Sequence, residues 1–155
     1  MLNFLSPNLV TFFKPTQAFL DWLVEFVGEE FVIECGAGQC EFTKAMHKLG
    51  IKAMAIEPRP SDEVMATCYN FVFPTSVERA ENILREDKSI VIAARPDHSG
   101  WFQKLPDLIH PESMLLYIGL ERNLHIDIPD SDIPLLFENA GEDGENVYKV
   151  IPWER

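Results

Sequence analysis

Apolar residues recur along this chain in two rhythms. Short continuous runs alternate with stretches where they return every three or four positions. The second rhythm first appears in Phe19, Leu20, Trp22, Leu23, Phe26 and Val27, which predicts a helix opened by Pro15 or Thr16 and stopped by Gly28. Strands are predicted at Phe31 to Glu34, Ile51 to Ile56, Tyr69 to Phe73, Ser89 to Ala93, Met114 to Ile118 and Val147 to Ile151. Between them, helices are predicted from Gln39 to Leu49, after Ser61, from the Thr75/Glu78 capping box to Arg85 or Glu86, and from Trp101 to Ile109 with a disturbance at Pro106. Leu124 to Ile128 reads as a strand or an extended loop, Ile133 to Asn139 as a short helix, and Gly141 to Asn146 as an acidic turn. Met1 to Phe13 is apolar and irregular, with a turn at Pro7 and Asn8. Strands alternating with helices predict an α/β fold: a three-layer sandwich with a mostly parallel, doubly wound sheet of six to seven strands and helices on both faces. One domain over residues 1–155 is expected, with residues 1–30 forming a helical segment packed on it.

Composition narrows the function. The formal charge is −12, and the last 35 residues hold nine acidic and three basic side chains. No Lys/Arg cluster is present to neutralise phosphates, so a nucleic-acid substrate is disfavoured, whereas an acidic surface suits cationic ligands. No apolar run reaches the roughly 18 residues of a membrane span. No basic residue precedes the apolar N-terminus as in a secretory signal, so a cytoplasmic location is expected. Cys35, Cys40 and Cys68 lack framework or metal-site spacing and read as small buried thiols. His125 with Asp127 is too thin a pair to assign a metal, and none is assigned.

The chemistry concentrates in Glu34-Cys35-Gly36-Ala37-Gly38-Gln39-Cys40. This stretch joins a predicted strand to a predicted helix, and Glu57 closes the next strand. Such an arrangement builds a nucleoside pocket at the carboxyl ends of strands. It is not the dinucleotide fingerprint: the sixth position, counted from Gly36, is Glu41, whose carboxylate would face a pyrophosphate at the helix N-terminus. No Gly-Lys-Ser/Thr follows, which excludes a P-loop.

On these residues the chain resembles the class I S-adenosylmethionine (SAM)-dependent methyltransferases. That family places an acidic residue and alternate glycines at the end of its first strand, here Glu34, Gly36 and Gly38, with Cys40 in the third glycine position. The resemblance implies SAM as cofactor. Glu34 would help hold the methionine ammonium, the backbone of Gly36, Ala37 and Gly38 would pass beneath methionine and ribose, and Glu57 would accept from both ribose hydroxyls. The family's acid after the third strand is replaced by Pro74-Thr75-Ser76, which leaves a hydroxyl such as Ser76, or a backbone group, for adenine. The fourth-strand loop, Arg95-Pro96-Asp97-His98, lacks the motifs of base-directed amino and cytosine-C5 enzymes. A small-molecule or protein methyl acceptor is implied instead, with a non-catalytic module of the same fold as the rival reading.

That loop supplies the candidate catalytic groups. An imidazole's intrinsic pKa lies near neutrality, so His98 suits a general base; Asp97 would orient it or meet a cationic substrate, and Arg95 would hold a substrate anion as a planar fork. The plainer alternatives are a helix cap by Asp97 or Ser99 and a surface ion pair for Arg95. His47 and His110 read as surface and loop, and Phe19, Trp22 and Phe26 as core.

Overall fold

The computed structural model describes residues 13–97, 99–128 and 133–150. Seven strands, β1 (Val32–Cys35), β2 (Ala53–Ile56), β3 (Val72–Phe73), β4 (Ile90–Ala94), β5 (Met114–Gly119), β6 (Leu135–Phe137) and β7 (Asn146–Val150), form one sheet in the order β3-β2-β1-β4-β5-β7-β6. The first five pair in parallel, and β7 runs antiparallel between β5 and β6. The dinucleotide-binding fold continues 3-2-1-4-5-6 in parallel, so the reversed β7 sets this sheet apart. The chain reverses direction of winding between β1 and β4, which makes the crevice beyond their carboxyl ends the topological switch point.

Alternation along the strands feeds two cores. Ile90, Ile92, Leu116 and Ile118 face α1 (Gln17–Val27) and α2 (Glu41–Lys48), which contribute Phe19, Leu23, Phe42 and Met46. Val91, Ala93, Leu115 and Tyr117 face α4 (Glu81–Glu86), α5 (Trp101–Leu108) and α6 (Glu121–Asp127) through Leu84, Phe102, Leu105 and Leu124. A smaller cluster joins Cys40, Ala55 and Val72 to Val64 and Cys68 of α3 (Asp62–Cys68). The predicted α/β sandwich is therefore the observed one. All three cysteines are buried thiols, and no helix among the described residues is long and apolar enough to cross a membrane.

Local chemistry sets the element ends. The Thr16 hydroxyl accepts the Phe19 N–H (3.2 Å), and Gly28 leaves α1 at φ 58°, as the sequence predicts. Ser61 caps α3 by accepting the Val64 N–H (3.1 Å). Four expectations need correction. Thr75 does not cap a helix: Ser76 flanks a 3₁₀ turn at Val77–Arg79, and α4 begins only at Glu81. The Tyr69 to Phe73 strand shrinks to Val72–Phe73 behind a 3₁₀ turn. Leu124 to Ile128, read as extended, lies largely within helix α6. Ile133 to Asn139, read as helix, contains strand β6. The turn at Pro7 and Asn8, the histidine at 98 and the strand end at Ile151 lie outside the described residues.

Candidate functional site

A cavity of about 250 Å³ opens at the switch point. Glu34, Gly36, Ala37 and Gly38 bound it from the β1 end, Glu57 from β2, and Ala94, Arg95 and Asp97 from β4. Gln39 of the loop, Glu41 and Phe42 of α2, Phe13 and Trp101 complete the wall. Of the residues singled out in the sequence, these include Glu34, the three loop residues, Glu57, Arg95 and Asp97. Ser76 is half-buried and not part of the lining.

The loop is shaped by the ends of two strands. The Gly36 and Ala37 N–H groups both donate to the Ile56 carbonyl (2.8 and 3.3 Å), which ties the β1 exit to β2. Gly36 and Gly38 sit at φ 68° and 60°, in left-handed backbone that glycine adopts without a Cβ penalty. Cys40 follows at φ 61°, so the third position also turns left-handed and bears the strain a glycine would avoid, about 1 kcal/mol. Its side chain is fully buried.

Glu57 is bound into this loop. Its Oε1 accepts the Gly38 N–H (2.6 Å) and its Oε2 accepts the Arg59 N–H (3.1 Å). A carboxylate offers about four acceptor positions, so each oxygen retains capacity for another donor.

Glu34 is the deepest polar group of the site, 3% exposed. It shares the sheet face of Val32, beneath the first turn of α2, where the Thr43 hydroxyl donates to its Oε1 (2.6 Å) and the Thr43 N–H also donates. Burial pushes its pKa up to about 8, against the lowering effect of both Thr43 bonds; the nearby Glu57 charge adds to the rise. Thr43 is itself fully buried, and the sequence reading missed it. A threonine on the same helical stripe as Phe42 and Met46 was the available signal.

The β4 side is held by a latch. Arg95 takes φ 52°, and its Nη1 donates to Asp143 (3.2 Å) and to the fully buried Glu145 (3.0 Å) in the β6–β7 turn. Asp97 accepts the Ser99 N–H (2.9 Å) and hydroxyl, which fixes the loop internally; the α5 N-cap is Gly100, without a side-chain cap. Trp101, also not singled out in the sequence, lies against the glycine loop. A Cβ placed on Gly36 would stand 2.7 Å from the indole Cζ2. Glu41 faces the cavity, which is the placement that argues against a pyrophosphate there. No group of three or more His, Cys, Asp or Glu side chains able to hold a metal occurs among the described residues.

The sequence matches no protein-family model and no curated protein. Solved structures do match. Magnesium protoporphyrin IX methyltransferase (ChlM) from Synechocystis PCC 6803 with bound SAM superposes with a TM-score of 0.59 at 9% identity, over 88% of this chain and 77% of that one. Ribosomal protein L11 methylase from Lactobacillus delbrueckii subsp. bulgaricus gives 0.55 at 16% identity, over 86% and 77%. The bifunctional kinase-methyltransferase WbdD gives 0.54 at 15% identity, over 85% of this chain but only 37% of its own length. The chain has the class I methyltransferase fold.

Proposed function

We propose that this protein binds SAM across the Gly36–Gly38 loop and transfers its methyl group to a small molecule or a protein side chain. The carrying observation is the convergence of Glu34, the glycine loop and Glu57 on one cavity at the switch point between β1 and β4. The SAM-bound neighbour of the same fold supports this reading. Glu57 would accept the ribose hydroxyls with the lone pairs its two backbone bonds leave over. Glu34 would face the methionine ammonium; with Ser76 outside the lining, a backbone group is the candidate adenine contact.

Methyl transfer asks the protein mainly to align a nucleophile behind the sulfonium methyl and to take up its proton where needed. The β4 loop provides the acceptor side. Asp97 lines the cavity, and His98 follows it as the proposed base. Arg95 has a supporting part already, since its Nη1 holds the loop to the β6–β7 turn; a substrate anion would be met by the rest of the same guanidinium.

One observation favours a second reading, a binding module without catalysis. Trp101 rests on Gly36, and about 250 Å³ lies just under the roughly 300–1,000 Å³ usual for ligand sites. On the SAM reading, the indole would swing off the loop to widen this space. Equilibrium dialysis with methyl-labelled SAM, followed by incubation with amine, thiol and protein acceptors, separates the two. Retained label that moves to an acceptor supports the transferase, retained label that never moves supports the module, and no retained label removes SAM from both.

A further inference from the structure

Glu34 is a buried carboxyl with no cationic partner among the described residues. Among the described residues, its hydrogen bonds come from the neutral Thr43 alone. An ionised carboxylate so placed is costly unless a counter-charge arrives. The groups around it do not supply one. Cys35 of its own strand and Cys40 of the loop are buried thiols whose ionisation burial suppresses, Glu34 itself adding to that effect. From α2, Glu41 lines the same cavity and draws Lys44 to itself (3.4 Å). From β2 comes Glu57, and from the β4 loop Asp97 and Arg95, the latter with Nη1 against Asp143 and Glu145. Four carboxyl groups and one engaged guanidinium thus line the space.

We propose that the cavity is a proton-linked ammonium receptor: Glu34 holds a proton while the cavity is empty and gives it up to solvent when a ligand bearing an ammonium group enters. The Glu34 O–H bond breaks, the proton passes to buffer, and the carboxylate left behind pairs with the incoming cation while Thr43 continues to donate to it. The upward displacement of the Glu34 pKa agrees with this geometry. The inference rests on the SAM reading, because SAM carries such an ammonium on its methionine portion. It adds what that reading lacks, a proton as the second product of binding and the chemical group that triggers its release.

Calorimetric titration at pH 7 in buffers of different ionisation heat counts the proton. SAM is expected to release close to one proton per ligand bound. S-adenosylhomocysteine, which keeps the ammonium, should release the same, and 5′-methylthioadenosine, which has none, should release no proton. Carboxyl-carbon NMR of the ligand-free protein should show Glu34 titrating above pH 7. SAM binding with no proton released, or a Glu34 that titrates in the ordinary carboxylate range, overturns this inference and leaves the cofactor reading standing. Failure of SAM to bind overturns the cofactor reading and takes this inference with it.

Discussion

Glu57 and Gly38 are joined by a 2.6 Å hydrogen bond in which the backbone N–H of the glycine loop donates to the carboxylate that closes β2. The acid proposed to hold the ribose thus also holds the loop proposed to carry the cofactor. Glu57→Ala is expected to weaken SAM binding by about 1–3 kcal/mol, from lost charge-assisted bonds and a loosened loop. Glu57→Gln, which retains an acceptor for Gly38, should fall between. Unchanged affinity in the alanine variant, measured by titration, would remove Glu57 from the site.

Trp101 and Gly36 form a second coupled pair. An added methyl at Gly36 meets the indole at 2.7 Å and also forces an L side chain to φ 68°, so Gly36→Ala should destabilise by roughly 1–3 kcal/mol in urea denaturation. Trp101→Ala removes the collision but not the backbone strain. The double variant should therefore lose less stability than the two single losses added together. If the indole swings aside for SAM, ligand addition should also change tryptophan emission in the wild type, and Trp101→Phe should abolish that change.

The stability of the ligand-free protein should carry the signature of Glu34. Its folded pKa of about 8 lies above the unfolded value of 4.5, so the folded state binds the extra proton between these limits. That contribution is complete below about pH 4.5 and is lost as pH rises through about 8. Glu34→Gln cannot ionise and escapes the loss. The stability difference between variant and wild type should shift in favour of the variant by several kcal/mol, at most about 4–5, from pH 4.5 to 9. A difference independent of pH would show that Glu34 is an ordinary carboxylate.

Glu145 is buried in the turn before β7. Its Oε2 accepts from Arg95, its Oε1 accepts the Asp143 N–H (3.2 Å), and a Cβ on Gly141 would collide with that oxygen. Glu145→Ala should cost about 2–4 kcal/mol in chemical denaturation, because it removes the buried one of the two carboxylates that hold the Arg95 guanidinium and empties the turn. Gly141→Ala should act in the same direction by displacing the carboxylate. A loss below about 0.5 kcal/mol in both, the ordinary range of surface substitutions, would mean the latch holds nothing.

The core of the site was legible because its spacing is local. Glu34, the two glycines and Glu57 lie within one strand-loop-helix-strand unit, and the left-handed backbone at Gly36 and Gly38 is what those glycines signal. The rest depends on distant packing. Trp101 reaches Gly36 from another element, and Arg95 finds Glu145 fifty residues away. Leu124-His125-Ile126-Asp127-Ile128 alternates as a strand would, yet Leu124 and Ile128 are one helical turn apart and both enter the core, while Ile126 stands 59% exposed. Asp127, whose spacing to His125 is too thin to assign a metal, accepts the Tyr117 hydroxyl (2.8 Å) at the inner face of α6. The Thr75/Glu78 pattern spells a capping box, but Glu78 is paired with Lys104 of α5 (3.1 Å) across a 3₁₀ turn. In each case a tertiary contact overrode a local pattern that was itself correctly spelled.

The central claim is that an adenosyl sulfonium occupies the crevice between the β1 and β4 ends. Isothermal titration of SAM into the purified protein tests it most directly. Saturable binding of one SAM per chain, weakened roughly 5- to 150-fold by Glu57→Ala, is the predicted result. No binding at millimolar SAM, or binding that Glu57→Ala leaves untouched, would contradict it.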